Sequence, residues 1–274
     1  IESLAHPGGV VMDINGIAEV ARKHHIPLIV DNTMATPYLC RPIEHGADIV
    51  VHSLTKFMGG HGNSMGGAIV DGGTFDWSKD DRFPILTEPR PEYNDMVLSE
   101  TFGNFAFAIA CRVLGLRDLG PAISPFNAFQ IIQGLETLPV RIKQHSANAL
   151  ELATWLEGKE EVAWVNYPGL KSNKYNELAK EYLPKGQSGI VTFGLKGGFE
   201  AAKKVTDATQ IFSLLANIGD TKSLIIHPAS TTHQQLTAEQ QEGAGVGQDL
   251  IRLSVGLEDI EDLKADLEQA FASL

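Results

Sequence analysis

The chain has 274 residues, of which 43% are hydrophobic and 20% charged, a composition typical of one or two globular domains. Its formal net charge of −12 argues against nucleic acid or an anionic membrane as a partner. The two cysteines, Cys40 and Cys111, are too few for a disulfide framework or a cysteine metal site, which favours a reducing compartment. No apolar run approaches the ~18 residues of a membrane span. We therefore expect a cytoplasmic protein without a metal site.

A helix and a buried strand are predicted near the start of the chain. Asp13 is a candidate N-cap for a helix from Ile14 to His25, in which apolar residues recur at helical spacing. The continuous apolar run at 26–30 is typical of a parallel strand covered on both faces, and it ends at Asp31. Because residues 1–3 open in the middle of a pattern, we expect a fragment or the second piece of a longer chain.

A second predicted strand ends in a turn that contains a lysine. The apolar residues 49–51 give way to Ser53-Leu-Thr-Lys56 and then to a glycine-rich turn. Together with the short helical segment before it, this pattern predicts a βαβ unit, so Asp31 and Lys56 would lie at the same carboxyl edge of one sheet. Ligands of open α/β sheets bind at that edge. Since an unpaired buried ammonium is costly, Lys56 must be solvated, paired or covalently used.

The remaining pattern indicates a second α/β unit. The elements predicted after Lys56 are a strand at 66–70, a long ordered loop at 74–98, helices at 101–116 and 124–157 with a break near Pro139, short strands at 162–165 and 189–195, and a closing helix at 260–274. We expect an α/β fold in which 1–125 belong to a large domain with a mostly parallel sheet. Residues 126–157 would form a connecting helical region, and 158–274 a smaller C-terminal α/β domain.

Several polar residues suggest a ligand with an aldehyde and a phosphate. Pyridoxal 5′-phosphate needs a lysine for its aldehyde, a carboxylate for its ring nitrogen and hydroxyl donors for its phosphate. Lys56 and Asp31 supply the first two, and Ser53 and Thr55 would supply the donors. Arg252, which interrupts an apolar strand, would grip a substrate carboxylate. Each of these residues also has an ordinary structural explanation, so spacing alone supports only a site for a phosphate-bearing or anionic ligand.

Longer stretches of sequence carry a resemblance to a known family. Val30-Asp-Asn-Thr-Met-Ala-Thr-Pro37, followed by His52-Ser-Leu-Thr-Lys-Phe-Met-Gly-Gly-His-Gly62, resembles the signature of the Cys/Met-metabolism family of pyridoxal-phosphate enzymes, fold type I. Similar stretches continue as far as Ile251-Arg-Leu-Ser-Val-Gly-Leu-Glu258, so the likeness covers essentially the whole chain. The resemblance implies a transferase of fold type I that uses pyridoxal 5′-phosphate. Its implied reaction replaces the acyloxy group at Cγ of an O-acylated homoserine by sulfide or a small thiol.

The resemblance implies cofactor-binding roles at the matching positions. Lys56 would carry the cofactor and act as the catalytic base, Asp31 would hold the ring nitrogen, and Ser53 and Thr55 would donate to the phosphate. His6 stands where the family usually carries the Asn of an Asn-Pro pair near the cofactor hydroxyl. A histidine in this place would still donate a hydrogen bond.

The resemblance also implies substrate ligands and an assembly. Arg252 and Ser223 would bind the substrate carboxylate, and the protein would be a homotetramer, a dimer of dimers with shared active sites. One alternative is transsulfuration with cysteine, γ-elimination, or use of a succinyl ester. A second alternative is an inactive half that serves as an oligomerisation partner. It arises because the glycine-containing phosphate loop, the ring-stacking tyrosine and the partner-subunit tyrosine/arginine pair of the family have no counterpart in this sequence.

Overall fold

The structure, a computed structural model, describes residues 1–5 and 8–274. The predicted role of His6 therefore lies outside the described residues. The strands are β1 (Leu4–Ala5), β2 (Val10–Val11), β3 (Ile29–Asp31), β4 (Ile49–Ser53), β5 (Gly67–Asp71), β6 (Val162–Asn166), β7 (Ile190–Leu195), β8 (Ser213–Leu214), β9 (Leu224–Ile226) and β10 (Leu250–Ser254).

The α-helices are α1 (Ile14–Lys23), α2 (Thr36–Leu39), α3 (Pro84–Thr87), α4 (Leu98–Phe102), α5 (Ala106–Ala110), α6 (Pro125–Glu136), α7 (Leu138–Glu157), α8 (Asn176–Tyr182), α9 (Gly198–Ala208), α10 (Ala238–Gly243) and α11 (Ile260–Phe271). Short 3-10 turns occur at Pro42–His45, Pro91–Tyr93, Gly103–Phe105 and Pro228–Ser230, and Cys111–Leu119 form a π-helical stretch. In the described part of the chain, no helix is both long enough and apolar enough to cross a membrane.

The N-terminal sheet has the strand order β3-β4-β5. Strands β3 and β4 are parallel, with Asp31 opposite Val51, whereas β5 runs antiparallel to β4. The first residues of the chain extend this sheet, because Asp31 N donates to Ile1 O (2.8 Å) and Ser3 N donates to Asp31 O (2.9 Å). The prediction that the ends of β3 and β4 share one sheet edge is confirmed.

The prediction that the first strand is covered on both faces is wrong for the described residues. Helices α1, α2 and α7 pack on one face of the sheet, where Val30 is fully buried. On the other face Ile49 is covered by an aromatic cluster around Phe75 and Trp77, but Ile29 remains 41% exposed. The apolar run therefore does not determine whether each face of the strand is covered, or which segment covers it.

The predicted loop at 74–98 supplies most of that aromatic cluster. The rings of Phe75, Trp77 and Phe83 pack against each other with centroid distances between 4.7 and 5.6 Å. The segment also contains α3, whose Leu86 is buried in the same cluster. The long loop is therefore an ordered cover for one face of β4 rather than an open connection.

Several predicted helix limits are confirmed to within a few residues. Asp13 caps α1 by accepting a hydrogen bond from Gly16 N (3.0 Å), and α1 ends before His25, which adopts a left-handed φ of 50°. Ser124 caps α6 in the same way through Asn127 N (3.1 Å), and Thr137 separates α6 from α7. The predicted helix at 101–116 is wrong as a single element, because Gly103, with φ of 57°, interrupts it and a π-helical stretch follows α5.

The C-terminal sheet has the strand order β6-β7-β10-β9-β8. Its strands are antiparallel except for the parallel pair β8 and β9. Residues of α7, α9 and α11 pack against this sheet and form a second core, in which Leu152, Phe193, Leu253 and Leu267 are fully buried. The division of the chain at 125 and 157 stays a prediction.

His145 lies where α7 meets both sheets. It is fully buried, its Nδ1 lies 2.7 Å from Val255 O, and its ring packs edge-on against Phe57 at a centroid distance of 5.3 Å. Burial lowers the pKa of His145 to about 4. The side chain is therefore neutral inside the folded protein at neutral pH.

We expect His145 to make the folded protein sensitive to acid. Between the ordinary histidine pKa of 6.5 and the folded value of about 4, His145 binds a proton in the unfolded chain but not in the folded protein. The free energy of unfolding must therefore fall as the pH drops through this window, by up to about 3 kcal/mol from this group. Between pH 7 and pH 4.5, the free energy of unfolding measured with urea should fall by less in His145→Asn than in the parent. The exposed His24→Asn serves as the control, and equal losses in all three proteins would contradict this account.

Candidate active site

Lys56 lies in a helical turn directly after β4. Gly59 N donates to Leu54 O (2.8 Å) and Gly60 N donates to Lys56 O (2.7 Å), so the turn has a fixed backbone. Partial burial and then the nearby charge of Arg252 lower the pKa of Lys56 below its ordinary value of 10.5. An amine in this setting gives up its proton more readily than an exposed lysine.

A cavity of about 170 Å³ opens beside the Lys56 amine. Asp31 and Ser53, the last residues of β3 and β4, line it together with Lys56. The neighbouring walls come from Thr33, Met34 and Ile218, among others. Larger clefts of about 540 and 650 Å³ lie beside Lys203 and Asp48, and neither contains a predicted site residue. The structure thus brings three predicted residues to one small cavity at the sheet edge.

The hydroxyl groups at the end of β4 have different surroundings. Thr33 links the two strand ends, because its N–H donates to Asp31 Oδ1 (2.9 Å) and its Oγ1 accepts from Ser53 N (2.8 Å). The Thr55 hydroxyl instead contacts the backbone of Gly66, with distances of 3.3 Å to Gly66 O and 3.2 Å to Gly66 N. Thr55 is not part of the cavity wall, and its role as a phosphate donor stays a prediction.

Asn217 joins the two cations of the site. Lys56 Nζ donates to Asn217 Oδ1 (2.6 Å), and Arg252 Nη2 donates to Asn217 O (3.1 Å). The buried Nε of Arg252 has no hydrogen-bond partner in the described part of the chain. Burial lowers the pKa of Arg252 to about 10, which still leaves it charged at neutral pH. Arg252 therefore retains a free donor for an anion.

Sequence reasoning did not assign a role to Asn217. The residue lies 161 positions from Lys56, and no local periodicity connects the two. The available signal was the stretch Ala216-Asn-Ile-Gly-Asp220, which forms part of the family resemblance. A contact at this sequence separation becomes visible only in the folded chain.

Ser223 lies away from the cavity, at the start of β9. Its hydroxyl donates to Glu258 Oε2 (2.8 Å) and accepts from Gly256 N (2.8 Å), and its N–H donates to Glu258 Oε1 (2.7 Å). The side chain is fully buried in this arrangement. Its predicted role as a substrate ligand stays a prediction, since all of these contacts are internal.

The sheet edge, the lysine turn and Arg252 bring a carboxylate, an amine and a guanidinium into one region of the fold. Residues 1–272 match the family model described as Cys/Met metabolism PLP-dependent enzyme. The chain therefore belongs to this family of pyridoxal-phosphate enzymes.

Individual relatives agree with this assignment. The chain is 54% identical over 282 residues to O-acetyl-L-homoserine sulfhydrylase of Leptospira meyeri, an alignment that covers 100% of this chain and 64% of the relative. It is 52% identical to homocysteine synthase of Schizosaccharomyces pombe, over 98% of this chain and 63% of the relative. The chain thus spans somewhat less than two thirds of the length of these relatives.

A solved structure extends the likeness to three dimensions. The crystal structure of a putative O-acetylhomoserine (thiol)-lyase from Campylobacter jejuni superposes with a TM-score of 0.95 at 45% identity. The match covers 99% of this chain and 65% of the solved chain, and that structure contains N′-pyridoxyl-lysine-5′-monophosphate.

The residues around the cavity fit pyridoxal 5′-phosphate, the cofactor of this family. Lys56 offers an amine with a lowered pKa, and Asp31 offers a carboxylate at the same cavity. The unpartnered Nε of Arg252 offers a donor for an anion. Among residues 1–5 and 8–274, no group of three or more His, Cys, Asp or Glu side chains is arranged to hold a metal ion.

We expect the charge of Arg252 to set part of the Lys56 pKa. Replacing Arg252 by Gln removes a positive neighbour and should raise the pKa of Lys56, which stays below 10.5 because its burial remains. The measurement is the pH dependence of acetylation at Lys56 in cofactor-free protein, followed by peptide mass spectrometry. The exposed Arg41→Gln is the matched control. An unchanged labelling midpoint in Arg252→Gln would refute the electrostatic coupling.

Proposed function

We propose that the protein is an O-acetylhomoserine sulfhydrylase, which converts O-acetyl-L-homoserine and sulfide, or a small thiol, to L-homocysteine, or methionine, and acetate. The observation that carries the proposal is the meeting of Lys56 and Arg252 on Asn217 beside the cavity that contains Asp31. An amine base and a substrate-binding guanidinium are the two groups that this chemistry requires from the protein. The relatives that carry this activity in their names support the choice of substrate.

The proposed substrate ligands are Arg252 and Ser223. Arg252 binds the carboxylate of the amino acid through charge-assisted hydrogen bonds, for which its unpartnered Nε is available. This contact turns the Cα–H bond toward Lys56. Because the guanidinium stays charged near neutral pH, it can pair with the negative carboxylate of the substrate.

Lys56 moves the protons of the reaction. Its Nζ would take a proton from Cα, pass that proton to the bound cofactor, and so be free to take a second proton from Cβ, and a lowered pKa favours both transfers. Bound pyridoxal 5′-phosphate supplies the electron sink for these steps. Acetate leaves Cγ with the electron pair of the C–O bond, sulfur forms the new bond at Cγ, and Lys56 returns protons to Cβ and Cα. Asp31 would hold a proton on the ring nitrogen of the bound cofactor, and Ser53 and Thr55 would donate to its phosphate.

The proposed assembly is a homotetramer built from two dimers. Helix α6 carries the exposed apolar side chains Phe126, Phe129 and Ile132, and Leu119 before it is 83% exposed. A patch of this kind favours a protein partner, and a second copy of the chain is the occupant that the family resemblance implies. The proposed location is the cytoplasm, in accord with the charge of −12 and the two free cysteines.

A second candidate function is a cystathionine γ-synthase or γ-lyase reaction, or sulfhydrylation of O-succinylhomoserine. It is favoured by the likeness to the crystal structure of metB from Corynebacterium glutamicum, which has a TM-score of 0.80 at 35% identity. The higher identity to the sulfhydrylases ranks it second.

A two-by-two substrate assay tests the proposal on the natural protein that contains this chain. Acetyl and succinyl esters of homoserine are each offered with sulfide and with cysteine, and the thioether or thiol product is identified by mass spectrometry. We expect turnover to be fastest with the acetyl ester and sulfide. Faster turnover with the succinyl ester, or with cysteine, would replace the proposal by the second candidate.

Substitution of Lys56 tests the assigned base. Lys56→Ala should lose at least about a hundredfold in kcat, because both proton transfers depend on the amine. Lys143→Ala, which removes an exposed lysine from α7, should keep the parent activity. Parent-like activity in Lys56→Ala would overturn the mechanism.

A further inference from the structure

Arg141 is a buried cation that forms no ion pair with a carboxylate among the residues that the structure describes. Only 5% of the residue is exposed, and burial lowers the pKa of its guanidinium with no acidic neighbour to raise it. Burying an ion in this way is costly unless strong hydrogen bonds replace its hydration. The four hydrogen bonds of the Arg141 guanidinium therefore indicate the structural role of this residue.

All four acceptors are neutral oxygens, and two of them belong to the Lys56 turn. Nη1 donates to Phe57 O (2.8 Å), and Nη2 donates to Met58 O (3.1 Å). Nη2 also donates to Gly134 O (2.8 Å), and Nε donates to Thr137 Oγ1 (3.1 Å).

The guanidinium thus lies between the C-terminal end of α6 and the turn that contains Lys56. Gly134 O belongs to the last turn of α6, and the carbonyls of Phe57 and Met58 belong to the turn that contains Lys56. Carbonyls at such ends carry partial negative charge, which explains how a cation is accommodated here without a carboxylate. Arg141 fastens the Lys56 turn to the junction of α6 and α7.

The fit around the guanidinium is close. Gly60 has a φ of 74°, and a Cβ at this position would clash with Arg141 Nη1. On another side of the turn, Thr221 N donates to Gly60 O (2.8 Å), in the same segment that supplies Asn217. The backbone after Lys56 is therefore held both by Arg141 and by residues 217–221.

We propose that Arg141 is a positioning residue for Lys56: by holding the carbonyls of Phe57 and Met58, it keeps Lys56 Nζ on Asn217 and at the cavity. The charge alone is not sufficient for this task, because three carbonyls and a hydroxyl are engaged by a planar fork of N–H donors. The kinetic part of the inference rests on the proposed function, whereas the placement of the amine does not.

The main test compares Arg141→Lys with Asp266→Asn. The lysine keeps the charge but cannot reproduce the fork. Asp266 is equally buried, its carboxylate accepts from the backbone N–H groups of Gln210, Ile211 and Phe212, and it lies in the C-terminal core. The Asn variant therefore controls for a general loss of stability.

Two measurements need no substrate. In cofactor-free protein, acetylation of Lys56 should be roughly threefold or more faster in Arg141→Lys, because the amine leaves Asn217 for solvent. Amide hydrogen exchange should rise in the peptide that covers 54–60. Asp266→Asn should lower the melting temperature and leave both readouts unchanged. Equal changes in the two variants, or no change in Arg141→Lys, would overturn the positioning role.

The kinetic measurement separates this inference from the proposed function. With O-acetylhomoserine and sulfide, kcat should fall about tenfold in Arg141→Lys while KM stays the same, since the base is displaced but the substrate ligand Arg252 is not. A change in KM without any change in kcat would contradict the inference. If the parent has no such activity, the proposed function fails and the labelling result still decides the role of Arg141.

A milder variant covers the case in which Arg141→Lys does not fold. Thr137 is exposed, and its hydroxyl accepts from Nε and also donates to Gly134 O (3.3 Å), so Thr137→Val loosens the guanidinium without leaving a buried void. Lys56 acetylation should change in the same direction and by less. Labelling of Thr137→Val that equals the parent would count against the proposal.

Discussion

Two partly buried cations of like charge face one small site, and no carboxylate forms an ion pair with either in the described part of the chain. Lys56 and Arg252 repel each other, and this repulsion adds to burial in lowering the pKa of Lys56. Neutral Asn217 connects them, because its side-chain Oδ1 accepts from Lys56 and its backbone carbonyl accepts from Arg252. The arrangement leaves a positive charge that an anion can balance, and it makes the Lys56 amine easier to deprotonate than an exposed lysine.

This constraint links the two sheets of the fold. Lys56 belongs to the end of β4 in the N-terminal sheet, whereas Arg252 belongs to β10 in the C-terminal sheet. Helix α7 lies between them and supplies both Arg141, which contacts the Lys56 turn, and His145, which contacts Val255 after β10. Helix α7 therefore contacts the segments that follow both strands, and His145 is neutral where it contacts Val255.

The sequence predicted the position of a site residue where that position follows from the order of neighbouring elements along the chain. Asp31 and Lys56 could be placed at one sheet edge because each follows an apolar run and parallel strands end together. Asn217 and Arg141 could not be found in this way, since their contacts span 161 and 84 residues. The covering of β3 was also wrong, because an apolar pattern carries no information about which segment packs on it. Ser223 shows a third limit of the sequence analysis. The residue lies in a stretch that resembles the family, but its contacts depend on how distant segments fold against it.

The close contact between Gly60 and Arg141 has an evolutionary consequence. The guanidinium fills the space that a side chain at position 60 would need, so each residue restricts what the other can become. A lineage that loses the arginine first would leave unsatisfied carbonyls beside the base, and one that gains a side chain at 60 first would expel the arginine. A substitution at only one of these two positions is therefore disfavoured, and homologues should retain both residues or replace them together.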